Sequence, residues 1–422
     1  MARILINTFG SYGDLHPYFA IALELKQRSH VVTIATCPLY RDKVITEGLE
    51  FLPVRPDIPF DDTAFIEKIF DAKQGGERVI RFVTAPLRET YDDLLPAVRA
   101  TDVVITHPTS CAAAALAEQF QKPWVSTVLA PFSFFSALDP PVVANAPWLI
   151  KLRGLGPAPM RWVFTLARMQ SRAWVQPVLH LRRELGLPVT HPLFEGQHSP
   201  QMVLGLFSPS MATPQADWPT QTVVTGFPFF DRHHEQPELD PAIEKFFNAG
   251  PAPIVFTLGS SAVTVAGDFY RESLIAVESL GVRALFLTGP FGQDLPVPLP
   301  DRVLAIPYAP HSAVFPRASL IVHQGGVGTT GQAMRSGRPS LVVPFGFDQF
   351  DNGERLRRLG TAEVLPRTRY NAARAQSKLL ALLTNHDIAT SARQLGVVVR
   401  AEHGAIHAAD AIENTLHLRT AS

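Results

Sequence analysis

The sequence contains the apolar run Leu320-Ile-Val-His323, followed at once by Gln324-Gly-Gly-Val-Gly-Thr-Thr-Gly-Gln332. A short apolar run that ends in glycines is typical of a buried strand. Glycines permit the sharp turn that leads from a strand into a helix. A strand, a glycine-rich turn and a helix together form the repeating unit of a parallel sheet, so the run predicts an α/β fold.

The loop after this strand has the composition of a diphosphate-binding site. Its glycines expose backbone N–H groups, its threonines add hydroxyl donors, and the dipole of the following helix directs its positive end at an anion. The candidate donor-binding residues are Gln324, Gly325, Gly326, Gly328, Thr329, Thr330 and Gln332. A second small-residue turn, Gly259-Ser260-Ser261, follows another apolar strand and is either a further phosphate contact or a plain turn.

The same loop leaves a nicotinamide-dependent oxidoreductase open as an alternative. Gly326-Val-Gly-Thr-Thr-Gly331 satisfies the G-x-G-x-x-G pattern, and Asp348 lies 20 residues beyond Gly328. However, a dinucleotide fingerprint normally opens the first βαβ unit, whereas this loop comes late in its unit. Asp348 also follows a Pro-Phe-Gly-Phe loop rather than a strand.

Apolar strands alternate with helical patterns throughout the chain, and the scheme starts twice. The predicted strands are 3–8, 31–36, 102–107 and 124–130, then 254–258, 284–288, 303–307, 320–323 and 340–344. We therefore predict two doubly wound Rossmann-like domains that face each other across a cleft. The expected divisions are 1–228 for the first domain, 229–400 for the second and 401–422 for a last helix; the resemblance described below implies that these bind the acceptor, bind the nucleotide-sugar and return to the first domain, respectively.

Composition excludes several classes of protein. Lys and Arg number 38 and Asp and Glu number 38, so no general positive field favours nucleic acid, and we expect at most peripheral membrane contact. Two cysteines in 422 residues exclude a disulfide scaffold and suit a reducing, cytoplasmic location.

No metal motif is present, and His233-His234 is interpreted as a solvated pair in the linker. Residues 160–185 predict one long amphipathic helix, with a membrane-surface helix as the alternative.

A turn after the first strand supplies the candidate catalytic acid/base. Asp14 lies in Gly10-Ser-Tyr-Gly-Asp-Leu-His-Pro17 at the start of a helix, where it is either an N-cap or a general base that the helix N-terminus keeps ionised. His107 ends the strand 102–107. If the two strands are neighbours, we expect Asp14 and His107 to form a hydrogen-bonded pair. His16 is interpreted as structural or pocket-lining.

These motifs resemble those of the two-domain GT-B nucleotide-sugar glycosyltransferases, in particular the inverting UDP-glycosyltransferase family and its bacterial members. The resemblance covers nearly the whole chain. The turn 10–17 is similar to the Gly-Ser-x-Gly-Asp-x-x-Pro turn of bacterial members, and residues 308–349 are similar to the donor signature. In plant relatives a His is the base and an Asp holds it, so the pair Asp14 and His107 would be exchanged here.

The resemblance also implies roles within the donor signature. Tyr308, followed by Ala-Pro-His311, corresponds to an aromatic residue that stacks on the nucleobase. Gln324 falls where the family has a His on the diphosphate, and Gln332, eight residues later, replaces the Glu that binds the ribose. Asp348-Gln349 corresponds to the pair that binds the sugar hydroxyls. Because Gln332 replaces the acid that binds ribose in the family, the nucleotide of the donor is either UDP or dTDP.

We therefore expect an inverting glycosyltransferase that moves a hexose from a UDP- or dTDP-sugar to a hydroxyl of a small lipophilic acceptor. Asp14, alone or relayed through His107, would take the proton of the acceptor, without a metal or a further cofactor. The expected acceptor-binding residues are Ser11, His16, Phe132, Phe135 and Trp148, of which the aromatic ones are equally plausible as core. A sugar-nucleotide epimerase of the same fold is the other alternative.

Overall fold

Two parallel β-sheets, formed one after the other along the chain, are the framework of the protein. The computed structural model describes residues 1–59, 62–71, 73–230, 239–290 and 294–420, with the side chains of 417–420 left out. The His233-His234 pair lies outside the described residues. Within them, every pairing between strands is parallel, as expected for strands joined by helices.

The first sheet has seven strands in the order β3-β2-β1-β4-β5-β6-β7. In chain order the elements are β1 Arg3–Asn7, α1 Tyr12–Gln27, β2 Val31–Thr36, α2 Arg41–Thr46, β3 Glu50–Pro53, α3 Thr63–Ile69, α4 Gly75–Thr84, α5 Leu87–Ala100, β4 Val103–Thr106, α6 Cys111–Gln119, β5 Trp124–Val128, α7 Pro157–Ser171, α8 Gln176–Glu184, β6 Met202–Gly205 and β7 Thr222–Val224.

The second sheet has six strands in the order β10-β9-β8-β11-β12-β13. Its elements, followed by the last helices, are α9 Pro241–Asn248, β8 Ile254–Thr257, α10 Phe269–Leu280, β9 Ala284–Leu287, β10 Val303–Ile306, α11 His311–Val314, β11 Leu320–His323, α12 Val327–Ser336, β12 Ser340–Val342, α13 Gln349–Arg358, β13 Ala362–Val364, α14 Ala372–Thr384, α15 His386–Arg400 and α16 Gly404–Thr420. The predicted α/β class with two Rossmann-like sheets is confirmed.

The centre of each sheet explains why its strands are continuously apolar. In β1, Ile4 and Ile6 pack in the core cluster that contains α1, whereas Leu5 packs on the opposite face with α5 and α6. Both faces of this strand are buried, and so no polar alternation is possible. The strand order reverses between β1 and β4 and again between β8 and β11, and ligands of such sheets bind beyond the strand ends at these points.

Two segments cross between the halves of the chain. Helix α16 packs against α1, where Asp410 and Glu413 lie 2.6 and 2.7 Å from the guanidinium of Arg28. Helix α3 reaches the other way, because Ile66 and Phe70 belong to the core cluster of the second sheet. The division of the chain at residues 228 and 400 stays a prediction.

The predicted long helix over residues 160–185 is wrong in one respect. The structure has two helices, α7 and α8, separated by four residues. Pro177 explains the break, since it has no N–H to donate to the preceding turn and its ring clashes with a helical carbonyl four residues earlier. It is tolerated in the first turn of α8, where no such bond is needed.

Candidate active site

Asp14 lies in the first turn of α1, where the chain leaves β1. Ser11 is the N-cap of this helix, and the Oδ2 atom of Asp14 accepts hydrogen bonds from the Ser11 N–H at 2.8 Å and from the Ser11 hydroxyl at 3.1 Å. Asp14 is thus the acidic partner of a capping box rather than the N-cap itself. Its Oδ1 atom accepts no hydrogen bond from the described residues, and its side chain is 33% exposed.

His107 follows β4 and is held by its own loop. Its backbone N–H donates to the Asn7 carbonyl of β1, and its Nδ1 atom accepts the N–H of Thr109 at 3.2 Å. The Nδ1 atom also lies 2.8 Å from the Thr109 hydroxyl, a hydrogen bond that either tautomer of the ring can form. These bonds hold the ring so that its Nε2 atom faces Asp14.

The distance from His107 Nε2 to Asp14 Oδ1 is 3.8 Å. This is longer than a hydrogen bond, so the expected direct bond between the two side chains is wrong for this structure. The reason is local, since Asp14 is bound to Ser11 on one loop and His107 to Thr109 on the other. The two groups do lie side by side, because β1 and β4 are paired at the point where the strand order reverses.

The glycine-rich loop forms an open helix N-terminus after β11. Gly325 adopts a φ of +88°, and a side chain there would press on Val342 and on the Gln349 carbonyl. Gly326 is the N-cap of α12, and no side chain caps this helix. The first amides of α12 therefore have no partner within the helix and carry the positive end of its dipole.

Several buried polar atoms around this loop have no partner among the described residues. They are His323 Nε2, Gln324 Oε1, Thr330 Oγ1 and Asn352 Oδ1. The side chain of Gln324 also lies directly over Gly259, where a Cβ atom would overlap its amide nitrogen. Buried polar groups are nearly always hydrogen-bonded, so this concentration at one loop indicates a place for a polar ligand.

The histidines near this loop are uncharged at neutral pH. Burial lowers the pKa of His311 to about 4, and burial together with His311 lowers the pKa of His323 to about 3. The Nδ1 atom of His323 accepts the Gly325 N–H at 3.1 Å, which helps to shape the turn. Neither ring supplies a positive charge, so the attraction for an anion comes from backbone amides.

Asp348 and Gln349 lie at the start of α13, beside the glycine loop. Asn352 donates to Asp348 Oδ2 at 2.7 Å and to the Gly325 carbonyl at 2.9 Å. Burial raises the pKa of Asp348 to about 7; the Asn352 bond lowers it, and the charge of Asp14 raises it further. The Oε1 atom of Gln349 accepts the N–H groups of Phe345 and Gly346, which leaves its amide nitrogen as the group for a ligand.

The two helix N-termini meet across the boundary between the sheets. Helix α1 contacts α12, and a Cβ atom placed on Gly328 would lie 3.8 Å from the Cα atom of Gly13. Gly13 precedes Asp14 directly. The turn that carries Asp14 therefore lies beside the N-terminus of α12, and Asp14 is near enough to Asp348 for its charge to raise the pKa of that carboxyl.

Comparison with known proteins agrees with this arrangement. Residues 4–135 match the glycosyltransferase family 28 N-terminal domain, and residues 292–405 match the erythromycin biosynthesis protein CIII-like C-terminal domain. The O-mycaminosyltylonolide 6-deoxyallosyltransferase of Streptomyces fradiae is 31% identical over 434 residues, covering 99% of this chain and 98% of the relative. The chain belongs to the GT-B glycosyltransferases.

More distant relatives also match nearly the whole length of this chain. A sterol 3-beta-glucosyltransferase of Yarrowia lipolytica is 26% identical over 432 residues, covering 97% of this glycosyltransferase and 28% of that longer protein. The crystal structure of the glycosyltransferase VinC in complex with dTDP has a TM-score of 0.69 at 20% identity, covering 99% of this chain and all of the other. These matches set aside a nicotinamide-dependent oxidoreductase.

The other predicted donor residues of the glycosyltransferase lie on loops and helices of the second half of the chain. Ser260 is exposed after β8, and the Tyr308 ring is 70% exposed after β10. His311 stacks on Phe315 with ring centroids 4.4 Å apart. Gln332 lies inside α12, one turn beyond Gly328. Their roles toward a nucleotide stay predictions.

The predicted acceptor residues divide into two groups. Phe135 has its ring 5.4 Å from that of Phe132, 5.8 Å from Phe164 and 4.9 Å from Phe194, which forms an aromatic cluster after β5. Trp148 is 60% exposed and makes no ring contact with the described residues. The cluster is suited to an apolar ligand, whereas nothing in the structure brings Trp148 to it.

The predicted acceptor residues of the first turn have other contacts. Ser11 is taken up by the capping box with Asp14. His16 lies 2.7 Å from the Lys43 ammonium, and its ring centroid is 5.2 Å from that of Phe230, at the end of the first domain. Their roles toward an acceptor also stay predictions.

A buried ion cluster joins the loop after β5 to α13, and sequence reasoning missed it. The Arg355 guanidinium binds Asp351 at 2.7 Å and Asp139 at 2.6 Å, and Asp351 accepts the Val142 N–H at 3.0 Å. Arg355 and Asp351 are almost fully buried. Burial opposes ionisation of Asp139, but Arg355 and Arg358 outweigh it and hold its pKa below the usual value. The cluster fixes α13, and with it Asp348, relative to the first sheet.

No helix of the described residues is both long and apolar enough to span a bilayer. The described part of the chain also contains no group of three or more His, Cys, Asp or Glu side chains placed to bind a metal ion. Asp93 pairs with Arg55 at the surface.

Proposed function

We propose that the glycosyltransferase moves a hexose from a dTDP- or UDP-sugar to a hydroxyl of a small lipophilic acceptor, with inversion at the anomeric carbon. The contact between Gly13 and Gly328 carries the proposal, since it places the free oxygen of Asp14 beside the uncapped N-terminus of α12. A proton acceptor and an anion site at one cleft are what a single displacement of a diphosphate requires.

The proposed reaction uses the groups as they lie. Asp14 Oδ1 takes the proton from the acceptor hydroxyl as the oxygen attacks the anomeric carbon. The bond from this carbon to the diphosphate breaks, and the leaving oxygens are stabilised by the first amides of α12 and the hydroxyls of Thr329 and Thr330. Asp348 and the amide of Gln349 bind the sugar hydroxyls.

His107 is proposed as a positioning residue rather than a proton relay. Direct proton transfer requires a hydrogen bond, and the Nε2 atom of His107 lies 3.8 Å from Asp14 Oδ1, beyond hydrogen-bonding distance. The ring is held in this place by its Nδ1 contact with the Thr109 hydroxyl at 2.8 Å. In this proposal the ring confines the carboxylate to its position at the start of α1.

The relatives support the choice of donor and acceptor. The Streptomyces fradiae relative is named for transfer of a deoxysugar to O-mycaminosyltylonolide, the Yarrowia lipolytica relative for transfer of glucose to a sterol, and VinC was solved with dTDP. Both named acceptors are lipophilic. The aromatic cluster around Phe135 is the surface in this chain that suits such an acceptor.

The proposal is tested by product analysis and by the Asp14→Asn variant. We expect mass spectrometry to show hexose addition to macrolactone or sterol alcohols with dTDP- or UDP-sugars as donors. Asn retains an oxygen for the capping box but cannot take a proton, so kcat should fall by about 10²–10⁴-fold. The Kd for dTDP, measured by calorimetry, should stay within about twofold.

Controls separate this proposal from its alternatives. Asp240→Asn makes the same change at the N-cap of α9 and should leave kcat unchanged. His107→Phe should lower kcat by less than Asp14→Asn and leave dTDP affinity intact. Full activity of Asp14→Asn would reject it as the base, and conversion of the donor to an epimer without any acceptor would favour the epimerase.

A further inference from the structure

Helix α7 has an unusual outer face. Trp162, Leu166 and Met169 are 72%, 62% and 68% exposed, and their spacing places them on one side of the helix. The neighbouring turn 147–155 packs against α7 and carries two more exposed apolar side chains, Trp148 and Leu155, at 60% and 70%. Exposed large apolar side chains are normally scattered singly, so three on one side of a helix indicate a docking surface. We call Trp162, Leu166 and Met169 the α7 stripe.

The segment that carries the α7 stripe has charges of one sign, and one acidic side chain from a later part of the chain, Glu195, lies 3.0 Å from Arg168 of α7. Between Pro140 and Arg183 the sequence contains no Asp or Glu, although the chain as a whole is neutral. The same segment contains seven Lys and Arg residues. Lys151, Arg161 and Arg172 form no ion pair with any described residue, and all three are exposed. The α7 stripe is therefore flanked by uncompensated positive charge.

This combination favours a lipid surface over a second copy of the chain. In a two-fold dimer the same patch faces itself, so Arg161 and Arg172 of both copies would lie at one interface and repel. An anionic bilayer neutralises the arginines and receives Trp162 and Leu166 among its headgroups and acyl chains. Trp and Leu on one side of a helix with Arg beside them is the composition of helices that lie in a membrane interface.

We infer that the α7 stripe docks the protein onto the surface of an anionic phospholipid bilayer, without spanning it. The inner side of the same helix carries Phe164, which packs on Phe135 of the aromatic cluster. A docked α7 therefore lies between the bilayer and the surface proposed for the acceptor. With this arrangement, a lipophilic acceptor can pass from the membrane in which it dissolves to the aromatic cluster. This last step rests on the proposed function, whereas the docking itself does not.

Vesicle sedimentation tests the inference without any measurement of glycosyl transfer. The full chain is mixed with vesicles of phosphatidylcholine alone or with 30% phosphatidylglycerol, at about 0.1 M and 1 M salt. We expect binding to the anionic vesicles, weak binding to the neutral ones and release at 1 M salt, where charges are screened over about 3 Å. A blue shift of tryptophan fluorescence that is lost in Trp162→Ser would show insertion of this side chain.

Paired variants separate the contribution of positive charge to membrane binding from that of apolar side chains. Arg161→Gln with Arg172→Gln should weaken partitioning by about 25-fold, from about fivefold for each charge near an anionic surface. Trp162→Ser with Leu166→Ser should weaken it by about tenfold or more. The matched controls lie on α14 and α15, where Arg374→Gln with Arg393→Gln and Leu380→Ser with Val397→Ser change equally exposed side chains and should have no effect.

Three results would overturn the inference. One is failure of the wild-type protein to bind anionic vesicles at low salt. Another is equal loss of binding in the α7 pairs and the control pairs. The third is a dimer by light scattering that Trp162→Ser with Leu166→Ser dissociates, since this would assign the surface to a second copy.

Discussion

Replacement of Asp348 by Asn tests the electrostatics of the cleft. The Asp348 pKa is raised from 3.8 to about 7, with burial as the largest cause and the charge of Asp14 as a smaller one. The folded protein therefore holds this proton between about pH 4 and pH 7, whereas the unfolded chain has lost it. The free energy of unfolding falls as the pH rises through this window, because the unfolded chain is stabilised by ionisation while the folded state still holds the proton.

The loss of stability at high pH can be calculated from the shift in the pKa of Asp348. About three pKa units at 1.36 kcal/mol each set an upper limit of about 4 kcal/mol at pH 8. Asn cannot ionise, and its oxygen still accepts the bond from Asn352. The variant should therefore equal the wild type near pH 4 and exceed it in stability near pH 8.

Thermal unfolding of both proteins from pH 4 to 9 is the assay. The difference in Tm, variant minus wild type, should rise between about pH 4 and pH 7, with a midpoint near about pH 5.4, halfway between the two pKa values, and should level off above pH 7. Asp92→Asn, an exposed carboxylate, should show no such rise. A difference that is flat with pH, or that favours the wild type at pH 8, would refute the reasoning. The same variant should lose affinity for a dTDP-sugar more than for dTDP.

Two further substitutions probe the donor loop and the ion cluster. Gly259→Ala should weaken dTDP binding and lower Tm, since φ is +66° and the new methyl would overlap the amide of Gln324. Gly360→Ala has nearly the same φ, but its methyl would make only ordinary contacts with Ser391, so dTDP binding should be unchanged. Asp139→Asn should cost about 1–3 kcal/mol by weakening the buried ion cluster at Arg355, against about 0–1 for Asp93→Asn in an exposed pair. Calorimetry measures dTDP binding for the two glycine variants, and thermal unfolding measures stability for the two aspartate variants. Equal effects of the two glycine variants, or of the two aspartate variants, would contradict these assignments.

The local features of the fold were predictable from the sequence. Apolar runs such as Ile4 to Ile6 identify buried strands, because both faces of a parallel sheet are covered. The glycine loop after β11 is predictable for a steric reason, since a positive φ at Gly325 and close packing around it exclude side chains. That these loops lie at the reversal of strand order follows from general rules for open sheets.

The features that were missed depend on distant parts of the chain. Asp139 and Arg355 are 216 residues apart, and no local sequence pattern predicts their contact. The packing of Ile66 and Phe70 in the core of the second sheet is of the same kind, because an apolar side of a helix does not indicate which sheet it packs on. The bond expected between Asp14 and His107 failed for a finer reason, since Ser11 and Thr109 bind each side chain to its own loop.

A crystal structure of the protein with dTDP tests the central claim most directly. The account predicts that the two phosphates lie against the first turn of α12, within about 3 Å hydrogen-bonding distance of amides in 326–330, with the terminal phosphate directed toward Asp14. A nucleotide bound elsewhere, or one whose phosphates face away from both helix N-termini, would contradict it.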